Sequence, residues 1–100
     1  MKMASAKYVL GLLAFCAGTA HAADNLYSRN LAAACAACHG TNGHSMGGMA
    51  GLAGMDKAYF INTMQEFKTG KRPATLMHQI AKGYSDEQIA QIAEYYSAQK

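Results

Sequence analysis

The pentapeptide Cys35-Ala36-Ala37-Cys38-His39 constrains this chain more than any other stretch. Two thiols three residues apart on a helical turn can each add across one vinyl group of a single porphyrin. The histidine directly after them is then carried under the ring, where its imidazole can bind the iron. The spacing therefore reads as a covalent haem attachment site, with Cys35 and Cys38 as thioether residues and His39 as an axial ligand. Two rivals share Cys-x-x-Cys. A thioredoxin-type dithiol needs a βαβ context, and the strand-forming residues for one are missing: valine occurs only at Val9. A structural zinc site needs four closed ligands, which would make His39 a strained third and His44 or His78 the fourth.

Three cysteines leave one thiol over, and the N-terminus accounts for it. Lys2 and Lys7 precede a short apolar run from Tyr8 to Ala17, followed by the small-x-small triplet Ala20-His21-Ala22. That pattern is a secretory signal peptide over residues 1–22, cleaved after Ala22, and cleavage removes Cys16. The run is too short for an ordinary transmembrane helix. Acylation at Cys16, the lipoprotein alternative, would need a small residue before the cysteine, where bulky Phe15 stands. The expected product is one domain over residues 23–100, located in the periplasm, with no membrane span.

Losing Lys2 and Lys7 leaves seven basic residues against six acidic ones. Much of the precursor's net +3 thus belongs to the leader, and nucleic acid, which wants a denser basic patch, is excluded as a partner. A domain of fewer than about 80 residues has a marginal hydrophobic core, so an embedded macrocycle would supply missing apolar area. Alternating strand patterns are absent, while Ala, Met, Gln, Leu and Lys abound. The composition predicts an all-α fold.

A first helix is expected from about Asn25 to Cys38, capped by Asp24 or Asn25, with small residues at Ala32-Ala33-Ala34 for close approach. Residues 40–54 hold six of the ten glycines and predict a loop lying tightly against something flat. Asp56 caps a second helix carrying Phe60, Met64 and Phe67 on one stripe; Gly70 ends it and Pro73 keeps it from resuming. A short third helix spans Leu76 to Lys82. Ser85-Asp86-Glu87-Gln88 is a capping box opening the last helix, whose face of Ile89, Ile92, Ala93 and Tyr96 is expected to pack on the first.

The far side of the iron decides the trade. A thioether there raises the potential and makes an electron carrier, a second imidazole lowers it, and an open position suggests a sensor or peroxidase. Among the methionines, Met64 sits on an apolar stripe and reads as core. Met46 and Met49 follow His39 too closely to cross the ring easily. Met77 lies 38 residues beyond His39, after a helix and a turn, and is the favoured axial ligand. Met55, His44 and His78 are the remaining alternatives.

Cys35-Ala36-Ala37-Cys38-His39-Gly40, Leu52-Ala53-Gly54, Tyr59, Phe67-Lys68-Thr69-Gly70-Lys71-Arg72, Met77 and Tyr84-Ser85-Asp86-Glu87 together resemble small class I cytochromes c. Within that class the chain looks most like the monohaem cytochrome subunit of flavocytochrome c sulfide dehydrogenase, with c4- and c553-type cytochromes as near relatives. The resemblance implies one haem c held by Cys35 and Cys38 and ligated by His39 and Met77. It also implies a flavoprotein partner that oxidises sulfide, so that this chain moves electrons rather than catalysing alone. A free diffusible periplasmic carrier is the alternative. One departure stands out. Many relatives have a proline ahead of the Leu-Ala-Gly step, whose carbonyl accepts the ligand histidine's N–H; here the residues are Met49-Ala50-Gly51 and the only proline is Pro73. Another backbone carbonyl of that loop is expected to serve, with its identity open. Lys71 and Arg72 either meet haem propionates or sit at a solvated helix end; Tyr95 and Tyr96 read as packing residues, and His44 and His78 are left without a role.

Overall fold

The computed structural model describes residues 26–100. The expected leader, its cleavage point and the first helix's cap at Asp24 or Asn25 lie outside that range. Among the described residues there are only helices and their connections, so the expected all-α fold holds.

Helix α1 is built in three pieces. Residues 26–32 are α-helical, Ala33–Cys35 tighten into a 3-10 turn, and Ala36–His39 return to α geometry. Alanine favours helix at every one of these small positions, while the tightened turn shifts the angular phase of the last four residues relative to the first seven. The expected end at Cys38 is one residue short: His39 is still helical, and Gly40, at φ 87° and ψ 162°, stops it.

Helix α2 spans Lys57–Thr69. The Asp56 carboxylate accepts the Tyr59 N–H at 3.0 Å, satisfying one orphan donor of the first turn. Gly70 ends the helix in the left-handed region, with Gly70 N–H donating to Phe67 C=O and Lys71 N–H to Glu66 C=O. That is a Schellman closure, which needs the positive φ of 76° that glycine adopts without strain. Helix α3, Met77–Lys82, starts one residue later than expected because Leu76, at φ −128°, is its non-helical flank. Helix α4, Asp86–Ser97, opens on the reciprocal capping box: Gln88 N–H donates to Ser85 Oγ at 3.1 Å, and Ser85 N–H to Gln88 Oε1 at 2.9 Å.

The buried core draws one stripe from each element. Phe60 and Met64 of α2, Ala81 of α3, Ile89, Ile92, Ala93 and Tyr96 of α4, Ala32 of α1 and Leu52 of the loop close on one another. Each large side chain so buried contributes about 1.5–3 kcal/mol. Helix α4 meets α1 through polar contacts as well: Tyr96 Oη donates to Ala32 C=O at 2.9 Å, and Ser28 Oγ to Gln91 Oε1 at 2.6 Å. The glycine-rich loop is stitched to this frame, with Leu52 and Ala53 N–H both donating to Gly43 C=O and Gly54 N–H to Tyr96 C=O.

One exposed cluster ties α2 to the start of α4. Asp86 Oδ1 accepts from Gln65 Nε2 at 2.6 Å and from Lys68 Nζ at 3.3 Å. The Gln65 amide first, then the Lys68 ammonium, lower the Asp86 pKa. The folded state therefore holds this carboxyl's proton less tightly than the unfolded chain does. Its stabilisation is complete above the ordinary carboxylate pKa and disappears as pH falls through the depressed folded value. In Asp86→Asn the acid limb of a stability–pH curve is expected to be flatter than in the wild type; parallel acid limbs in denaturant titrations would contradict this.

Candidate functional site

The site begins where α1 ends. Cys35 and Cys38 stand one helical turn apart, so both sulfurs leave the same side of the helix. Cys35 is half-buried against the core and Cys38 is exposed, and the two do not form a disulfide. Burial raises the Cys35 pKa, with the Tyr96 hydroxyl opposing it. The same burial, and then Cys35, push the Tyr96 phenol well above its ordinary range and raise Tyr84 as well.

His39 is aimed by a single bond. Its Nδ1 lies 2.7 Å from the carbonyl oxygen of Ala50. A carbonyl only accepts, so Nδ1 carries the proton and Nε2 of the neutral ring keeps a free lone pair. The acceptor left open by the missing proline is thus the main chain of Ala50. Two backbone constraints and one side-chain bond hold it there. Gly40 turns the chain after His39, Gly43 C=O grips Leu52 and Ala53, and Tyr95 Oη donates to Asn42 Oδ1 at 2.7 Å across the loop.

Met77 opens α3, half-buried, packed on the same core cluster as Cys35. Tyr84, two residues past α3, packs on that core cluster as well. On α3 and its flank, Leu76 is 63% exposed and Ile80 43%. A thioether, an imidazole with its coordinating nitrogen free, two thiols one turn apart and uncovered apolar side chains are the parts a haem requires. The residues present fit that group.

A family model described as cytochrome c oxidase, cbb3-type, subunit III matches residues 19–95. The chain belongs to this cytochrome c family. No curated protein matches it. As a c-type cytochrome it is a haem-binding electron carrier that works with redox partners. Among its described residues no helix is long and apolar enough to cross a membrane.

The other methionines of the cytochrome separate by environment. Met64 is core, 5% exposed, as its stripe predicted. Met55 is half-buried against that core, whereas Met46 and Met49 stand out of the loop. Arg72 is occupied elsewhere: its Nε donates to Glu66 Oε2 at 2.8 Å, and its guanidinium lies 5.9 Å from the centre of the Phe67 ring. That pair lies at the end of α2, the helix-end setting expected of Arg72. Lys71 is exposed. His78 Nδ1 is buried with no hydrogen-bond partner, a feature that no local pattern of residues signals. Tyr96 is a packing residue, 1% exposed, and Tyr95 meets it edge-on with ring centroids 5.1 Å apart.

Proposed function

We propose that this cytochrome is an exported, periplasmic carrier of single electrons, with residues 1–22 as leader and 23–100 as a monohaem domain. The observation that carries the site is the 2.7 Å contact from His39 Nδ1 to Ala50 C=O, which leaves Nε2 free to coordinate. Cys35 and Cys38 would hold the haem through thioethers, and His39 and Met77 would be the axial ligands. When bound, the haem supplies an iron centre that gains and loses one electron. Ala50 C=O holds the imidazole proton and makes the ring a better donor to iron. Met77 offers a soft sulfur that favours the reduced metal. The apolar side chains of Leu76 and Ile80 exclude water from that side.

The partner we infer is the flavoprotein subunit of a sulfide dehydrogenase, which would pass electrons to this chain. The support is the resemblance, within the small class I cytochromes c, to the monohaem cytochrome subunit of flavocytochrome c sulfide dehydrogenase. The matched family is described as an oxidase subunit, which supports a chain that serves a larger redox partner without choosing that partner. Co-purification with stoichiometric FAD is expected from the native host; elution as a lone small monomer would move the reading to a free diffusible carrier. For the site, reduced protein at neutral pH is expected to bind carbon monoxide slowly or not at all, because Met77 closes the iron. Rapid binding without denaturant would point to the open-site sensor or peroxidase class instead.

A further inference from the structure

A cleft of about 160 Å³ opens between α1, the start of the glycine-rich loop and α4, and none of its lining residues is a proposed attachment or ligand residue of the haem. Ala33 and Ala36 of α1 leave the space, because each side chain stops at Cβ. Tyr95 of α4 forms another wall and is held from two sides. Its Oη donates to Asn42 Oδ1 at 2.7 Å, and its ring meets Tyr96 edge-on with centroids 5.1 Å apart. Asn42 is the one non-glycine residue at positive φ, 53°, among the described residues. With its Oδ1 engaged by Tyr95, the amide nitrogen keeps two donors to give. Arg29 and Thr41 line the same cleft. No acidic side chain does, and among the described residues Arg29 pairs with no carboxylate. The cleft thus gathers donors in excess of acceptors beside small apolar side chains and an aromatic ring.

We propose that this cleft binds a small aromatic carboxylate. A cavity of about 150 Å³ accommodates benzene, so the space between Ala33, Ala36 and Tyr95 suits a single ring. The planar guanidinium of Arg29 matches a carboxylate with two parallel N–H donors. The Asn42 amide and the Thr41 hydroxyl supply the remaining donors. Arg29 is exposed, and an exposed ion pair is weak by itself. Recognition therefore needs both halves of the ligand, the ring against the alanines and Tyr95 and the charge at Arg29. An inorganic anion would use only the donors, and a neutral arene only the apolar wall.

The test titrates sodium benzoate into the reduced holoprotein and follows its NMR spectrum. The backbone amide signals of Thr41 and Asn42 and the ring signals of Tyr95 are expected to shift saturably, while those of Lys68 and Gly70 stay in place. Benzamide, of the same shape but neutral, and acetate, charged but without a ring, are each expected to bind at least about tenfold more weakly. Arg29→Gln is expected to weaken benzoate binding by a similar factor while keeping the haem spectrum and melting temperature. Ala33→Leu, which fills the cleft from an exposed helix position, is expected to abolish it. Absence of saturable shifts, benzamide or acetate binding as tightly as benzoate, or undiminished binding in either variant overturns the proposal.

Discussion

Replacing Gly43 with alanine is expected to destabilise the domain by about 3–5 kcal/mol. The backbone there sits at φ 81°, and an added Cβ would lie 2.5 Å from Ala53 N, 2.9 Å from Leu52 C and 2.9 Å from the Tyr96 ring. Positive φ alone costs a non-glycine residue roughly 1–3 kcal/mol, and overpacking against fixed atoms adds about 1–3 more. Two of the three obstacles are main chain, and the third belongs to a side chain that is 1% exposed, so none can yield cheaply. Gly70 is the control. Its φ is 76°, but nothing lies within 4 Å of its Cβ position, so Gly70→Ala is expected to lose only about 1 kcal/mol. Equal shifts of the denaturant midpoint in the two variants would show that the contacts at Gly43 do not matter.

Met77→Ala is expected to abolish the weak far-red sulfur–iron band of the oxidised holoprotein and to lower its potential. The axial ligand moves potentials within a range of about 0.8 V, so the drop should be readily measured by redox titration. Because Met77 also packs on the core, truncation would cost stability whatever its role. Met77→Leu separates the two effects. It keeps volume and apolarity, so unfolding should change by less than about 1.5 kcal/mol, yet the band and the potential should change as in the alanine variant. An unchanged spectrum in both would transfer the ligand role to another residue, Met55 being the next methionine against the core.

Much of this architecture could be read from local chemistry. Ser85 and Gln88 announce α4, Gly70 and Pro73 announce the end of α2, and Ile89, Ile92, Ala93 and Tyr96 do form a buried face that meets α1. These features depend on residues within a few positions of one another, where propensity and periodicity act directly. Long-range choices were less visible. Arg72 reaches Glu66 only because the Schellman turn folds the chain back, so its partner depends on a backbone reversal and not on charge pattern. The tightened turn at Ala33–Cys35 has no signature in an alanine-rich run. The acceptor for His39 was open because carbonyls carry no letter of their own; only the path of residues 40–54 selects Ala50.

That last bond has an evolutionary meaning. An acceptor supplied by a side chain can be erased by one codon change, whereas the Ala50 carbonyl is present whatever amino acid stands there. Substitution can alter it only by rerouting the loop, and the stitches at Gly43, Leu52 and Gly54 resist rerouting. The histidine's setting is thus inherited through chain geometry more than through residue identity. No proline stands in residues 40–54, and the ring still finds its oxygen.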